Sequence, residues 1–243
     1  MTKIGSVSIN RSSVRIITSL CGRTLSELTK GLQKLNRSQA DIVEWRLDTY
    51  ETLETNAVSE VFQVLRKLTK KPILVTLRTK KEGGAAALTD SAYKALLLAL
   101  MRLSPDALDI ELQRKTSSCL LEAAKKTHVT TVVSYHNFAS TPSEESLKKK
   151  LSAMQQTPAD ILKIALMPKT LEDVFNVVSA ARWAKKQLSK PVIAISMGEK
   201  GILTRLACKT FGGCATFASF EKKTSAPGQI TIQTTKHFLE FFN

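Results

Sequence analysis

Short β-branched runs alternate with amphipathic segments eight times along 243 residues. The runs are RIITSL (15–20), DIVEWRLD (41–48), PILVTLR (72–78), ALDIEL (107–112), TTVVSYH (130–136), DILKIALM (160–167), PVIAISM (191–197) and CATFASF (214–220). Helical periodicity begins near Leu25, Val58, Asp90, Ser118, Ser143, Leu171 and Gly201, and a last stretch runs from about Ile230. The segment STPSEESLKKKL puts Thr-Pro-Ser ahead of two glutamates, where a helix N-terminus attracts negative charge. Strand then helix, eight times, predicts an α/β fold of one (β/α)8 TIM barrel, a single catalytic domain over residues 1–243. A doubly wound open sheet is the alternative. It would carry a glycine-rich phosphate turn after its first strand, and SLCGRTL has one glycine. No linker or low-complexity stretch divides the chain.

Composition removes several function classes. Hydrophobic residues make up 43%, enough for a full core. The longest apolar run, Ala95 to Met101, is far short of the roughly 20 residues a membrane span needs. The opening MTKIGSVSINRSSV is polar and interrupted, unlike a secretory signal, so a cytoplasmic protein is expected. Cys21, Cys119, Cys208 and Cys214 form no CxxC pair and only three histidines accompany them. Buried or half-buried thiols are therefore expected rather than a metal site. A net charge of +15 raises the question of a polyanionic partner. The lysines, however, are spread over many helices, and the largest block is Lys148 to Lys150. Aromatic residues are 6%, too few for an evident base-stacking platform. Solvated helix faces account for the charge, with a general attraction for anionic small molecules. Neither nucleic acid nor membrane is expected as a partner.

The strand ends carry the chemistry. Alternate residues of a barrel strand point inward, and active sites of this fold lie at the C-terminal face. Late in the strands come Ser19; Glu44 and Arg46; Arg78, with Glu82 in the loop beyond; Asp109 and Glu111; Ser134 and His136; Lys163; Met197; Phe217 and Ser219. Buried charges are costly unless paired or functional, and here acids and bases alternate over five consecutive strands. Lys163, in the middle of ADILKIALM, is either a water-facing edge lysine or a buried amine. A buried amine next to cations loses its proton more easily and becomes a Schiff-base nucleophile. At an ordinary lysine pKa only about 0.04% would be neutral at pH 7. His136, on the neighbouring strand, is the natural proton carrier, and Glu82 can orient it. Arg46 has either an acid such as Glu44 or an anionic ligand as its partner. Arg205, after the seventh strand, can grip a carboxylate in bidentate fashion. The last loop, EKKTSAPGQI, reads as a mobile cover offering Ser225 and Gln229, or as a plain connection.

Six motifs, EWRLD, TLRTKKEGG, SYHNF, DILKIA, SMGEKG and SAPGQ, occur in this order at successive strand ends. Together they resemble the type I 3-dehydroquinate dehydratase family over nearly the whole chain. The resemblance implies a cofactor-free hydro-lyase of the shikimate pathway to chorismate and the aromatic amino acids. Its substrate would be 3-dehydroquinate and its product 3-dehydroshikimate, formed by syn elimination. By the same resemblance Lys163 is the Schiff-base lysine, His136 the general acid and base, and Glu82 its support. Ser19, Glu44, Arg46, Arg78, Arg205, Ser225 and Gln229 bind substrate, and Phe138, Met197 and Phe217 pack around it. A homodimer is implied too, although no interface patch is evident. Ile195 departs from the family, where many relatives carry a second methionine, and TRLA replaces a commoner serine before Arg205. The alternative is another Schiff-base lysine barrel, such as a class I aldolase. That enzyme normally needs a late phosphate pocket, for which no glycine-rich turn is present.

Overall fold

Strands apolar on both faces need a packed interior on one side and helices on the other. The computed structural model, which describes residues 1–10, 12–220 and 224–242, has that arrangement. Two short strands, β1 (Lys3–Ile4) and β2 (Val7–Ser8), form an antiparallel hairpin. Eight parallel strands follow: β3 (Arg15–Leu20), β4 (Ile42–Arg46), β5 (Ile73–Thr76), β6 (Ala107–Glu111), β7 (Thr130–Asn137), β8 (Ile161–Leu166), β9 (Val192–Ser196) and β10 (Ala215–Ala218). They pair in the order β10-β3-β4-β5-β6-β7-β8-β9. The two ends of that order meet where the Cys214 N–H donates to the Val192 carbonyl at 2.9 Å, so the sheet is a nearly closed barrel.

The helices are α1 (Leu25–Asn36), α2 (Thr55–Leu68), α3 (Asp90–Met101), α4 (Ser117–Lys126), α5 (Glu144–Gln155), α6 (Leu171–Gln187), α7 (Leu203–Leu206) and α8 (Ile232–Phe241). Six begin on a side chain that accepts an orphan N–H: Thr24, Glu54, Thr89, Ser143, Thr170 and Thr231. Such a cap stabilises by about 1 kcal/mol. Thr170 and Asp173 cap each other's backbone reciprocally at the start of α6. None of the described helices is long and apolar enough to cross a membrane.

Side chains facing the helices form one core, in which Trp45 stacks on Phe62 with ring centroids 6.4 Å apart. Phe62→Ala is expected to cost about 3–5 kcal/mol, because a fully buried ring leaves a cavity. Denaturant titration should show a lower midpoint at an unchanged slope. An unaltered midpoint would mean that the helix layer repacks without loss.

The barrel interior is a second core, made of Ile17, Ile42, Leu74, Ala107, Val132, Ile161 and Ile193. Two residues further along the same strands, on the same inward face, come Ser19, Glu44, Thr76, Asp109, Ser134, Lys163 and Ile195. Six of the seven strands thus change from apolar to polar within one inward step. Ile4 and Ile9 of the hairpin join the apolar layer from below and close that end of the barrel.

The sequence did not announce this hairpin, whose strands are two residues each. Its turn depends on Gly5 at φ +53°, where a Cβ would lie 2.6 Å from Asp106 Oδ1. Two other expectations need correction. The seventh helix is a single turn, because the chain after β9 folds back tightly through Gly201 to bring Arg205 inward. A Cβ at Gly201 would sit 2.1 Å from the Ser196 carbonyl oxygen. Cys208 and Cys214 are buried as expected, but Cys21 and Cys119 are exposed on loop and helix surfaces.

Candidate active site

The polar layer opens into a cavity of about 350 Å³ at the C-terminal face of the barrel. All the site residues read from the sequence line it: Ser19, Glu44, Arg46, Arg78, Glu82, His136, Phe138, Lys163, Met197, Arg205, Phe217, Ser225 and Gln229. Of the last loop, Glu221, Lys222 and Lys223 lie outside the described residues.

Lys163 is 4% exposed, so the edge-lysine alternative fails. Its position opposite Ser134 and Ile193 in the two ladders turns it into the barrel. Nζ lies 3.4 Å from Asp109 Oδ2, 3.9 Å from Glu44 Oε1 and 4.3 Å from the Phe217 ring centre. Burial lowers the pKa of its ammonium; Asp109 and Glu44 oppose the shift and Arg78 adds to it.

His136 stands on the adjacent strand and is well below an ordinary histidine pKa, through burial first and then Arg78 and Lys163. Its ring is therefore neutral, and its 2.9 Å contact with Glu82 is a hydrogen bond rather than an ion pair. Glu82 Oε2 also accepts from the His136 backbone N–H at 3.2 Å and from Arg78 at 3.1 Å. An oxygen that accepts from those donors assigns the ring proton to Nδ1, which leaves the Nε2 lone pair as the base. Burial pushes the Glu82 carboxyl up to about 8 against the pull of Arg78. Its other oxygen, Oε1, has no hydrogen-bond partner. Gly83, at φ +78°, turns the chain directly after Glu82, and a Cβ there would lie 2.2 Å from the Phe138 ring.

Arg78 is the hub. It is 4% exposed and pairs with Asp109 at 2.7 Å, Glu82 at 3.1 Å and Glu111 at 3.1 Å, and it donates to Ser134 at 3.0 Å. Glu111 also fixes Thr79 through its N–H at 2.8 Å and its hydroxyl at 2.7 Å. These acids outweigh burial and keep Arg78 charged. Arg46 is neutralised by Asp48 in two bonds of 2.8 Å each, not by Glu44. Glu44 instead accepts from the Ser19 and Thr76 hydroxyls. The sequence called for an acid such as Glu44 beside Arg46; the acid is Asp48, which lies past the strand end, in a 3-10 turn. Thr76 and Asp48 were not read as site residues, and Ser134 was read at a strand end without a role. Only the two-residue offsets of Thr76 from Leu74 and of Asp48 from Arg46 could have signalled those two.

Arg205 differs from the other cations. It is 2% exposed and no carboxylate offsets its burial among the described residues, so its pKa falls to about 10. Its terminal nitrogens donate to the carbonyls of Phe217 at 3.3 Å and Pro227 at 3.0 Å, and Nε has no partner. A buried, acid-free guanidinium at a cavity wall is a receptor for an anion. Ser225 and Gln229 face it from the last loop, and the Ser225 hydroxyl donates to Ser19 at 2.8 Å.

The sequence matches the model of the type I 3-dehydroquinase family over residues 16–243. The chain belongs to the type I 3-dehydroquinase family. A 3-dehydroquinate dehydratase of Listeria welshimeri is 34% identical over 99% of this chain and 97% of its own length. The type I 3-dehydroquinate dehydratase structure from Clostridium difficile, described with covalently modified comenic acid, superposes with a TM-score of 0.94. That match has 29% identity and covers 99% of this chain and 96% of the other. The 3-dehydroquinate dehydratase structure from Enterococcus faecalis covers both chains completely, at 31% identity and a TM-score of 0.91. The barrel agrees with the family assignment, and the family assignment makes this chain a hydro-lyase.

Proposed function

We propose that this chain dehydrates 3-dehydroquinate to 3-dehydroshikimate through a Schiff base on Lys163, with His136 as acid and base. The neutral Lys163 amine attacks the ketone carbon, and the carbinolamine loses water to give a protonated iminium. His136 Nε2 then takes the proton from the neighbouring carbon 2, and the electron pair moves into the enamine. The imidazolium returns that proton to the hydroxyl leaving carbon 1, on the same face, and the iminium re-forms in conjugation with the new double bond. Water adds to the iminium, the ketone is released and the amine is restored. One water is consumed and two are lost, so the net change is dehydration.

The observation that carries this reading is the company of Lys163: a buried amine in the same cavity as a neutral imidazole and a guanidinium with no acid partner among the described residues. The first supplies the nucleophile, the second the proton carrier, the third a grip for the substrate's carboxylate. Glu44, Arg46, Ser19, Ser225 and Gln229 provide polar contacts for its hydroxyls. Phe138, Met197 and Phe217 supply apolar walls.

The test is turnover of 3-dehydroquinate, followed by the ultraviolet absorbance of the conjugated enone, beside a panel of sugar phosphates. Consumption of sugar phosphates alone would replace the dehydratase by an aldolase. In the same assay Arg205→Ala should raise KM by roughly 10- to 150-fold, the value of one charged hydrogen-bonding partner, while kcat changes little. An unchanged KM would remove Arg205 from carboxylate binding.

A further inference from the structure

The Schiff-base step creates a buried cation whose countercharge the mechanism above leaves unassigned. An iminium nitrogen keeps one proton and a full positive charge, and that charge makes it an electron sink. A neutral imine draws electrons from carbon 2 far less strongly. In a dry barrel, an iminium without a nearby anion gives up its proton readily.

Two carboxylates lie close to Nζ, and their other commitments differ. Both oxygens of Glu44 receive hydroxyl donors, Oε1 from Thr76 at 2.9 Å and Oε2 from Ser19. Glu44 Oε1 is also the more distant, at 3.9 Å from Nζ. Asp109 divides its oxygens between partners. Oδ1 takes the Ser134 hydroxyl at 2.6 Å and the Arg78 guanidinium at 2.7 Å. Oδ2 accepts from Lys163 Nζ at 3.4 Å. Asp109 is 1% exposed, so water does not screen the interaction. The neighbouring strands fix its orientation: Ser134 from β7 and Arg78 from just beyond β5. The other charged groups around it are Glu111 on its own strand, Glu82 and His136 beyond Arg78, and Glu44 beyond Lys163.

We infer that Asp109 is the counter-ion of the Lys163 Schiff base, and that it keeps the iminium nitrogen protonated during elimination. This rests on the Schiff-base reading above and adds the residue that makes the intermediate an effective electron sink. Asp109 acts through Lys163 and not on the substrate, so it is a positioning and charge-balancing residue. Arg78 couples the same carboxylate to Glu82 and thereby to His136, tying the counter-ion to the base.

The experiment traps the intermediate. Borohydride reduces a protonated iminium much faster than a neutral imine. The product, 3-dehydroshikimate, can form the adduct without elimination. Once formed, the parent's adduct should be reduced at about the same rate from pH 6 to pH 9. The formed adduct of Asp109→Asn should be reduced fast at about pH 6 and progressively more slowly above it, the midpoint falling by at least about one unit. Its kcat should drop roughly 100-fold at about pH 8 and partly recover near pH 6, with KM within about threefold. Reduction of the formed adduct with the parent's pH dependence, or a kcat loss equal at every pH, would overturn the inference and leave Asp109 a structural residue. A measurement on the parent alone serves if the variant does not fold. The C=N stretch of its adduct should shift on transfer to deuterated water, as a protonated nitrogen requires. No shift would also overturn the inference. If the parent forms no adduct with substrate or product, the Schiff-base reading itself fails, whatever Asp109 does.

Discussion

Lys163→Ala is expected to lose turnover of 3-dehydroquinate by on the order of 10⁴-fold or more, because a covalent route has no substitute once its nucleophile is gone. Borohydride added with substrate should leave a reduced adduct on the peptide containing Lys163 in the parent and none in the variant. The fold should survive. Removing a buried cation relieves its desolvation, although Asp109 and Glu44 are left facing each other with less countercharge. A variant that still forms an adduct at full rate would move the nucleophile elsewhere. The pH dependence has a defined sign. Burial lowers the Lys163 pKa, so the neutral, nucleophilic amine gains population at lower pH than for an ordinary lysine. Adduct formation should therefore rise with pH and level off below the ordinary lysine range. A rate still climbing through pH 10 would mean that the amine titrates normally.

His136→Ala carries the second large effect. General acid–base catalysis is worth roughly 10²–10⁴-fold, and in the proposed mechanism one imidazole both removes and returns the proton, so the upper part of that range applies to kcat. An adduct with the product should still form, more slowly, because the lysine and its surroundings remain. Normal turnover by the variant would take His136 out of the mechanism. Glu82→Gln separates orientation from charge. It keeps an acceptor for Nδ1 but removes the carboxylate between Arg78 and His136, so its loss should be smaller than that of His136→Ala. A loss as large as that of His136→Ala would give Glu82 a direct part in proton transfer.

Most of the fold could be read from two periodicities. The eight strand runs lie within a few residues of β3 to β10, because a parallel strand covered on both faces is a short apolar run with clear ends. The single-turn α7 was not legible, since nothing in GEKGILTRLACK marks where its backbone turns inward. At the site, the strand ends announced their charges but not their partners. Asp48 takes Arg46, and Glu44 turns to two hydroxyls, because a short turn after β4 brings Asp48 back under the guanidinium. Such choices depend on angles of a few residues that composition does not encode. The inward placement of Lys163 and His136 was legible from strand parity, which turns both toward the same cavity.

The hairpin beneath the barrel links its first nine residues to chemistry at the opposite face. Ile4 and Ile9 stopper the open base of a tube whose midsection holds the amine. Clipping or displacing this segment would give bulk water a route to Lys163 from below and let its pKa drift back toward that of a hydrated lysine. An affinity tag or cleavage site placed there is therefore a perturbation of Lys163, though it touches no residue of the cavity.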